Sequence, residues 1–121
     1  MKAVVCQTFG PVEDLSVQQT PDPVPGADEV LIDIASVGVN FPDALLVRGL
    51  YQVKPSLPFI PGIECAGTIA ALGKDVTTFA IGDRVAAMSP RFGTYAEAIV
   101  VPASHVYPIP EALDFDHAGA L

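Results

Sequence analysis

Val39-Asn40-Phe41-Pro42-Asp43, followed by Arg48-Gly49-Leu50-Tyr51 and then Pro61-Gly62-Ile63-Glu64, is the stretch that decides the fold of this chain. Asn40 suits a helix N-cap, Pro42 is tolerated in a first helical turn, and Asp43 complements the positive end of a helix dipole. Gly49 fits the stop position. A short helix over Asn40 to Arg48 is therefore expected. On either side the texture differs: twelve prolines and ten glycines cut the chain into short pieces, which is a β-rich pattern.

Working outward, Ala3 to Gln7 and Leu15 to Gln19 read as short strands around the turn-prone Gly10-Pro11. Pro21 to Gly26 carries too many prolines to join a ladder and reads as a surface connection. Glu29 to Val37 alternates, with Val30, Ile32 and Ile34 on one face and Leu31, Asp33 and Ala35 on the other, the pattern of a half-buried strand. Lys54 to Pro61 reads as an irregular loop. Glu64 to Leu72, Arg84 to Met88 and Tyr95 to Val101 are further strands, with turns at Gly73-Lys74-Asp75, Gly82-Asp83 and Arg91-Phe92-Gly93. Asp114 to Leu121 reads as a capped helix start. Many short strands with one inserted helix predict a mainly β fold, a small, partly open barrel.

Composition narrows the function. At 121 residues the chain has the length of one domain and can bury a core. Half of it is apolar and only 17% is charged, so some apolar surface is expected to face a neighbour. No uncharged apolar run is long enough to span a membrane, and the N-terminus lacks the form of a secretory signal. The net charge is −8, and the six basic residues are scattered, which argues against nucleic-acid binding. Two cysteines, Cys6 and Cys65, form no disulfide framework; a reduced, cytoplasmic setting is expected.

Gly38 to Asp43, Arg48 to Gln52, Pro58-Phe59-Ile60-Pro61-Gly62-Ile63-Glu64, Gly67 and Gly82-Asp83-Arg84-Val85 follow the order and spacing of the catalytic domain of the medium-chain dehydrogenase/reductase superfamily. The chain resembles its zinc-lacking NADPH:quinone oxidoreductase branch over essentially its whole length. That resemblance implies a GroES-like barrel over residues 1–113, with residues 114–121 opening a helix toward a Rossmann domain that this chain lacks. It also implies NADPH as cofactor, a small quinone or enone as substrate, and a homo-oligomeric complete protein. The ten glycines include no Gly-x-Gly pair, so the dinucleotide fingerprint is absent and the chain by itself is expected to be inactive.

Two departures from the zinc-dependent members matter chemically. Those members place a cysteine where Asn40 stands and a histidine where Ile63 stands, and carry a four-cysteine lobe that is missing after Val85. Neither replacement is a usual zinc ligand, so no metal site is expected. Without a Lewis acid the substrate has to supply its own electrophilicity, as quinones and conjugated enones do. Asn40 is the first candidate: its amide suits a hydrogen bond to substrate oxygen or contact with nicotinamide, and it serves equally as a plain N-cap. Asp43 is either catalytic or a structural cap, and Tyr51 either reaches the pocket rim or merely packs. Glu64 reads as a structural carboxylate. Gly62, Gly67, Gly82 and Asp83 read as turn and close-approach positions, and Arg48 and Lys54 as surface charges. Cys6 and Cys65 read as inert core thiols, and His105 and His117 have no ligand-spaced partners. Two alternatives stand beside this reading, an enoyl or acrylyl thioester reductase and a non-enzymatic GroES-like interaction module. The helix and loop from Asn40 to Tyr51 favour an enzyme, because a bare barrel has no need of them.

Overall fold

The computed structural model describes residues 1–120. A small sheet pairs β1 (Lys2–Val5) antiparallel with β2 (Ser16–Gln19), setting Val4 opposite Val17. A five-stranded sheet in the order β6-β3-β4-β5-β7 holds β3 (Glu29–Val37), β4 (Glu64–Leu72), β5 (Arg84–Met88), β6 (Ala98–Pro102) and β7 (Val106–Pro108). Every neighbouring pair in it is antiparallel. Bridges from Ala3 to Ala96 and from Cys6, the residue after β1, to Phe59 tie the small sheet to the rest and curl the whole into a partly open barrel.

The core follows from alternation along the strands. Val30 and Ile32 of β3 are fully buried while Asp33 and Ala35 are exposed, because successive side chains point to opposite faces. Those two pack with Cys65, Ile69, Val85, Ala87, Ile99, Val101 and Val106. Central strand β4 carries small residues where backbones crowd. A Cβ on Gly67 would lie 1.9 Å from the Asp33 carbonyl oxygen. The register between β3 and β4 shifts beside this point, between Ile34 and Ser36, as a bulge does.

The predicted helix is present as α1 (Phe41–Val47), capped by Asn40 and Arg48 and burying Asp43, Leu46 and Val47. Gly49 takes a left-handed φ of 72° at its end. The second helix, α2 (Phe115–Ala118), starts where Asp114 accepts the His117 amide at 2.8 Å; Leu121, the end of the predicted helix start, lies outside the described residues. Arg84 holds the segment before α2, donating to the carbonyls of Pro110 and Leu113 with its guanidinium 4.4 Å from the Phe115 ring centroid.

Three boundaries differ from expectation. A short 3-10 turn at Val12–Asp14 delays β2 to Ser16. The three residues Val106–Pro108 form β7, too brief for periodicity to show, with its proline tolerated on an edge strand. Tyr95 to Glu97 lies outside β6. Its amides and carbonyls bond instead to Pro61, to Lys2 and Val4 of β1, and to Ile34.

Candidate functional site

The entrance to α1 gathers the polar residues. Asn40 is extended, at φ −121° and ψ 159°, and its backbone N–H donates to Asp43 Oδ2 at 2.9 Å. The Asp43 N–H returns a bond to the Asn40 carbonyl at 3.0 Å, so the acid locks the first turn. The Asn40 side-chain nitrogen donates to Glu64 Oε1 at 2.9 Å. Gly38 permits that approach, since a Cβ there would stand 2.1 Å from the same oxygen.

Asp43 is only 3% exposed, and its Oδ2 also accepts the Tyr95 hydroxyl at 2.8 Å. Burial raises the Tyr95 phenol above its ordinary pKa, reinforced by the hydrogen bond to Asp43 and by the acid's charge. The hydroxyl therefore keeps its proton and remains a donor. Two buried oxygens, Asp43 Oδ1 and Thr94 Oγ1, have no hydrogen-bond partner among the described residues.

The structure thus joins Asn40 to Asp43 and adds two partners, Glu64 and Tyr95. Tyr51 is half-buried on the loop after α1, and no hydrogen bond among the described residues ties it to either. Tyr95 had no local signal: it stands 52 residues from Asp43, in a segment that reads as an ordinary strand. Asn40 is half-buried between the Asp43 and Glu64 carboxylates, and its sequence neighbours Val39 and Phe41 are each 77% exposed. A groove of about 540 Å³, with Val39, Thr94, Tyr95, Ala3, Val17 and Ile34 in its lining, borders this region without including Asn40. A second, of about 360 Å³, borders Glu64 and runs past Cys65, Met88 and Tyr107.

No group of three or more histidine, cysteine or acidic side chains among the described residues has the geometry to hold a metal. Both thiols are buried. Burial, and secondarily the Glu64 charge, pushes Cys65 up to about 12, and burial raises Cys6 as well. No helix among the described residues is long and apolar enough to cross a membrane.

Residues 26–111 of this barrel match the alcohol dehydrogenase GroES-like domain family. The chain belongs to that family. Quinone oxidoreductase from Sus scrofa is 37% identical to it over 122 residues, a match covering 100% of the GroES-like chain and 37% of the pig protein. The crystal structure of human synaptic vesicle membrane protein VAT-1 homolog-like protein superposes with a TM-score of 0.96 at 36% identity, covering 100% of this chain and 38% of that one. Escherichia coli quinone oxidoreductase, in a crystal structure complexed with NADPH, gives a TM-score of 0.93 at 28% identity over 98% of this chain and 36% of its own. The GroES-like chain spans 25% of the length of the Danio rerio synaptic vesicle membrane protein VAT-1 homolog and 37% of the pig quinone oxidoreductase. Its structural neighbours include quinone oxidoreductases of the medium-chain dehydrogenase/reductase superfamily.

Proposed function

We propose that this GroES-like domain is the substrate side of a larger cytosolic oxidoreductase that passes hydride from NADPH to a quinone or conjugated enone without zinc. The observation that carries the reading is the Asn40 amide, oriented by Glu64 at the entrance to α1 and flanked by exposed Val39 and Phe41. One amide hydrogen is committed to Glu64; the other is suited to a substrate oxygen. One oriented donor beside two exposed apolar side chains fits an apolar acceptor that carries a conjugated carbonyl.

The chain does not cradle a dinucleotide. It has no Gly-x-Gly pair, and its left-handed glycines, Gly49, Gly62, Gly82 and Gly93, lie at turns that open no helix. The bulk of NADPH therefore belongs on a further domain, and Asn40 is the residue here suited to touch its nicotinamide end. When bound, that cofactor supplies the hydride. The chain's own residues do the rest. Asn40 donates to the acceptor oxygen on which the electron pair settles, Glu64 and Asp43 fix its direction, and Tyr51, on the loop after α1, is the further hydroxyl suited to the substrate. Asn40 and Ile63 stand at the positions where the resembled zinc enzymes carry cysteine and histidine, and neither is a usual zinc ligand.

The test uses the complete reading frame with NADPH against quinones, conjugated enones, enoyl thioesters and simple alcohols, before and after treatment with a chelator. Chelator-resistant turnover of quinone or enone is expected, with kcat about a hundredfold lower in Asn40→Ala, the loss typical of one oxyanion donor. Stoichiometric tightly held zinc, or turnover confined to unconjugated alcohols, refutes it. A strong preference for enoyl thioesters moves the assignment to the thioester reductases.

A further inference from the structure

We infer that Tyr95 is a positioning residue for Asn40, acting through the buried carboxylate of Asp43. The inference rests on the reading of Asn40 given above and adds to it a residue outside the helix and its flanking loop.

The geometry closes into a ring. Tyr95 donates its hydroxyl to Asp43 Oδ2, and the same oxygen takes the backbone N–H of Asn40. From the other side the Tyr95 N–H donates to the Pro61 carbonyl at 3.1 Å, and its carbonyl accepts the Val4 N–H at 2.8 Å. Gly62, at φ +100°, lets the tyrosine come close: a Cβ there would stand 2.6 Å from ring atom Cδ1 and 2.0 Å from Thr94 Oγ1. Two residues further along, Glu64 grips the Asn40 side-chain nitrogen. The segment from Pro61 to Glu64 therefore touches Tyr95 at one end and Asn40 at the other. Asn40 is held at its backbone by the Tyr95–Asp43 arm and at its side chain by Glu64.

Both donors meet at one oxygen of Asp43, because Oδ1 has no partner among the described residues. Hydrogen bonds to a buried carboxylate are the strong kind, and without the Tyr95 hydroxyl the Asn40 N–H is the one hydrogen-bond donor left to the Asp43 carboxylate among the described residues. Removing the tyrosine hydroxyl would thus free the acid that fixes the Asn40 backbone, while leaving the aromatic packing in place. A misplacement of about 1 Å at a reacting group is enough to lower a rate by up to about a hundredfold.

The experiment uses the complete protein. Wild-type turnover of quinone with NADPH is measured first, and its absence sinks the proposed activity alone. Tyr95→Phe is expected to lower kcat at least tenfold with the quinone KM little changed, and to shift the NMR signals of the Asn40 side-chain amide. The decisive comparison is Tyr95→Phe combined with Asn40→Ala, which should be no slower than Asn40→Ala by itself, since the tyrosine acts only through the asparagine. Multiplying rate losses, or Asn40 signals that stay put in Tyr95→Phe, overturn the inference. If wild type shows no turnover, the Asn40 signals decide on their own: movement supports the inference and constancy overturns it. If Tyr95→Phe does not fold, Tyr95→Leu, which also removes the hydroxyl, takes its place under the same criteria.

Discussion

Replacing Asp43 with alanine tests the entrance to α1 most directly. The carboxylate accepts from the Asn40 backbone N–H at 2.9 Å and from the Tyr95 hydroxyl at 2.8 Å, and the residue is 3% exposed. A hydrogen bond to a charged group contributes about 1.5–3 kcal/mol. The two bonds share one oxygen, so they do not add in full, and a net loss of about 2–4 kcal/mol is expected for Asp43→Ala. Asp43→Asn keeps one acceptor oxygen while giving up the charge and replacing the other oxygen with an amide donor; halving the strength of each bond predicts about 1–2 kcal/mol. Native-state hydrogen exchange of the Arg48 and Gly49 amides, which donate to Ala44 and Leu46, reads opening of α1 independently of any other domain. At about 1.4 kcal/mol per tenfold, Asp43→Ala should speed exchange there by roughly thirtyfold to several hundredfold, and Asp43→Asn by about tenfold. An increase below about threefold in Asp43→Ala would mean that the acid does not anchor the helix, and the reasoning would fail.

Two further outcomes follow from the ionisable groups. Cys65, pushed up to about 12 by burial and by Glu64, should resist thiol reagents at pH 8 in the folded protein and react on unfolding; stoichiometric labelling of native Cys65 would refute this. His117 and Asp114 form an exposed pair at 2.6 Å, in which the hydrogen bond and charge of the acid raise the His117 pKa while contacts to His117 lower that of Asp114. The histidine's contribution to α2 is complete below its ordinary value of 6.5 and fades as pH rises through its raised value. The acid's contribution is complete above its ordinary value of 3.8 and fades as pH falls through its lowered value. Between those limits α2 should be most ordered. An NMR titration placing His117 at or below 6.5 would contradict the pairing.

Local rules carried far in this chain because its elements are short and sharply bounded. Period-2 alternation found β3 and separated Val30 and Ile32 from Asp33 and Ala35, since a sheet with one wet face sorts its residues that way. Helix α1 was legible from Asn40, Asp43 and Gly49, which satisfy its end groups in sequence order. Strand β7 was not, because three residues ending in proline show no period and are set by pairing with β5. Likewise Tyr95 to Glu97 reads as strand, yet bonds across to β1 and Pro61, a choice made by tertiary packing.

The candidate site divides along the same line. Asn40 and Asp43 are three residues apart and announce themselves as a helix start, whereas Glu64 and Tyr95 join them only through the closed ring. That division has a chemical reason on the proposed metal-free mechanism. A metal ion gathers its own ligands and aligns a substrate oxygen by bond strength, so its residues carry a spacing that can be read. A lone amide has no such pull and swings freely unless its backbone and its side chain are both held. The buried Asp43 and the Glu64 carboxylate supply those two holds from different elements, and Tyr95 couples the first to the segment that bears the second. An asparagine doing work otherwise given to zinc should therefore depend on long-range polar contacts invisible to a local motif. Loss of the Tyr95 hydroxyl should then cost rate through Asn40, with the fold left standing.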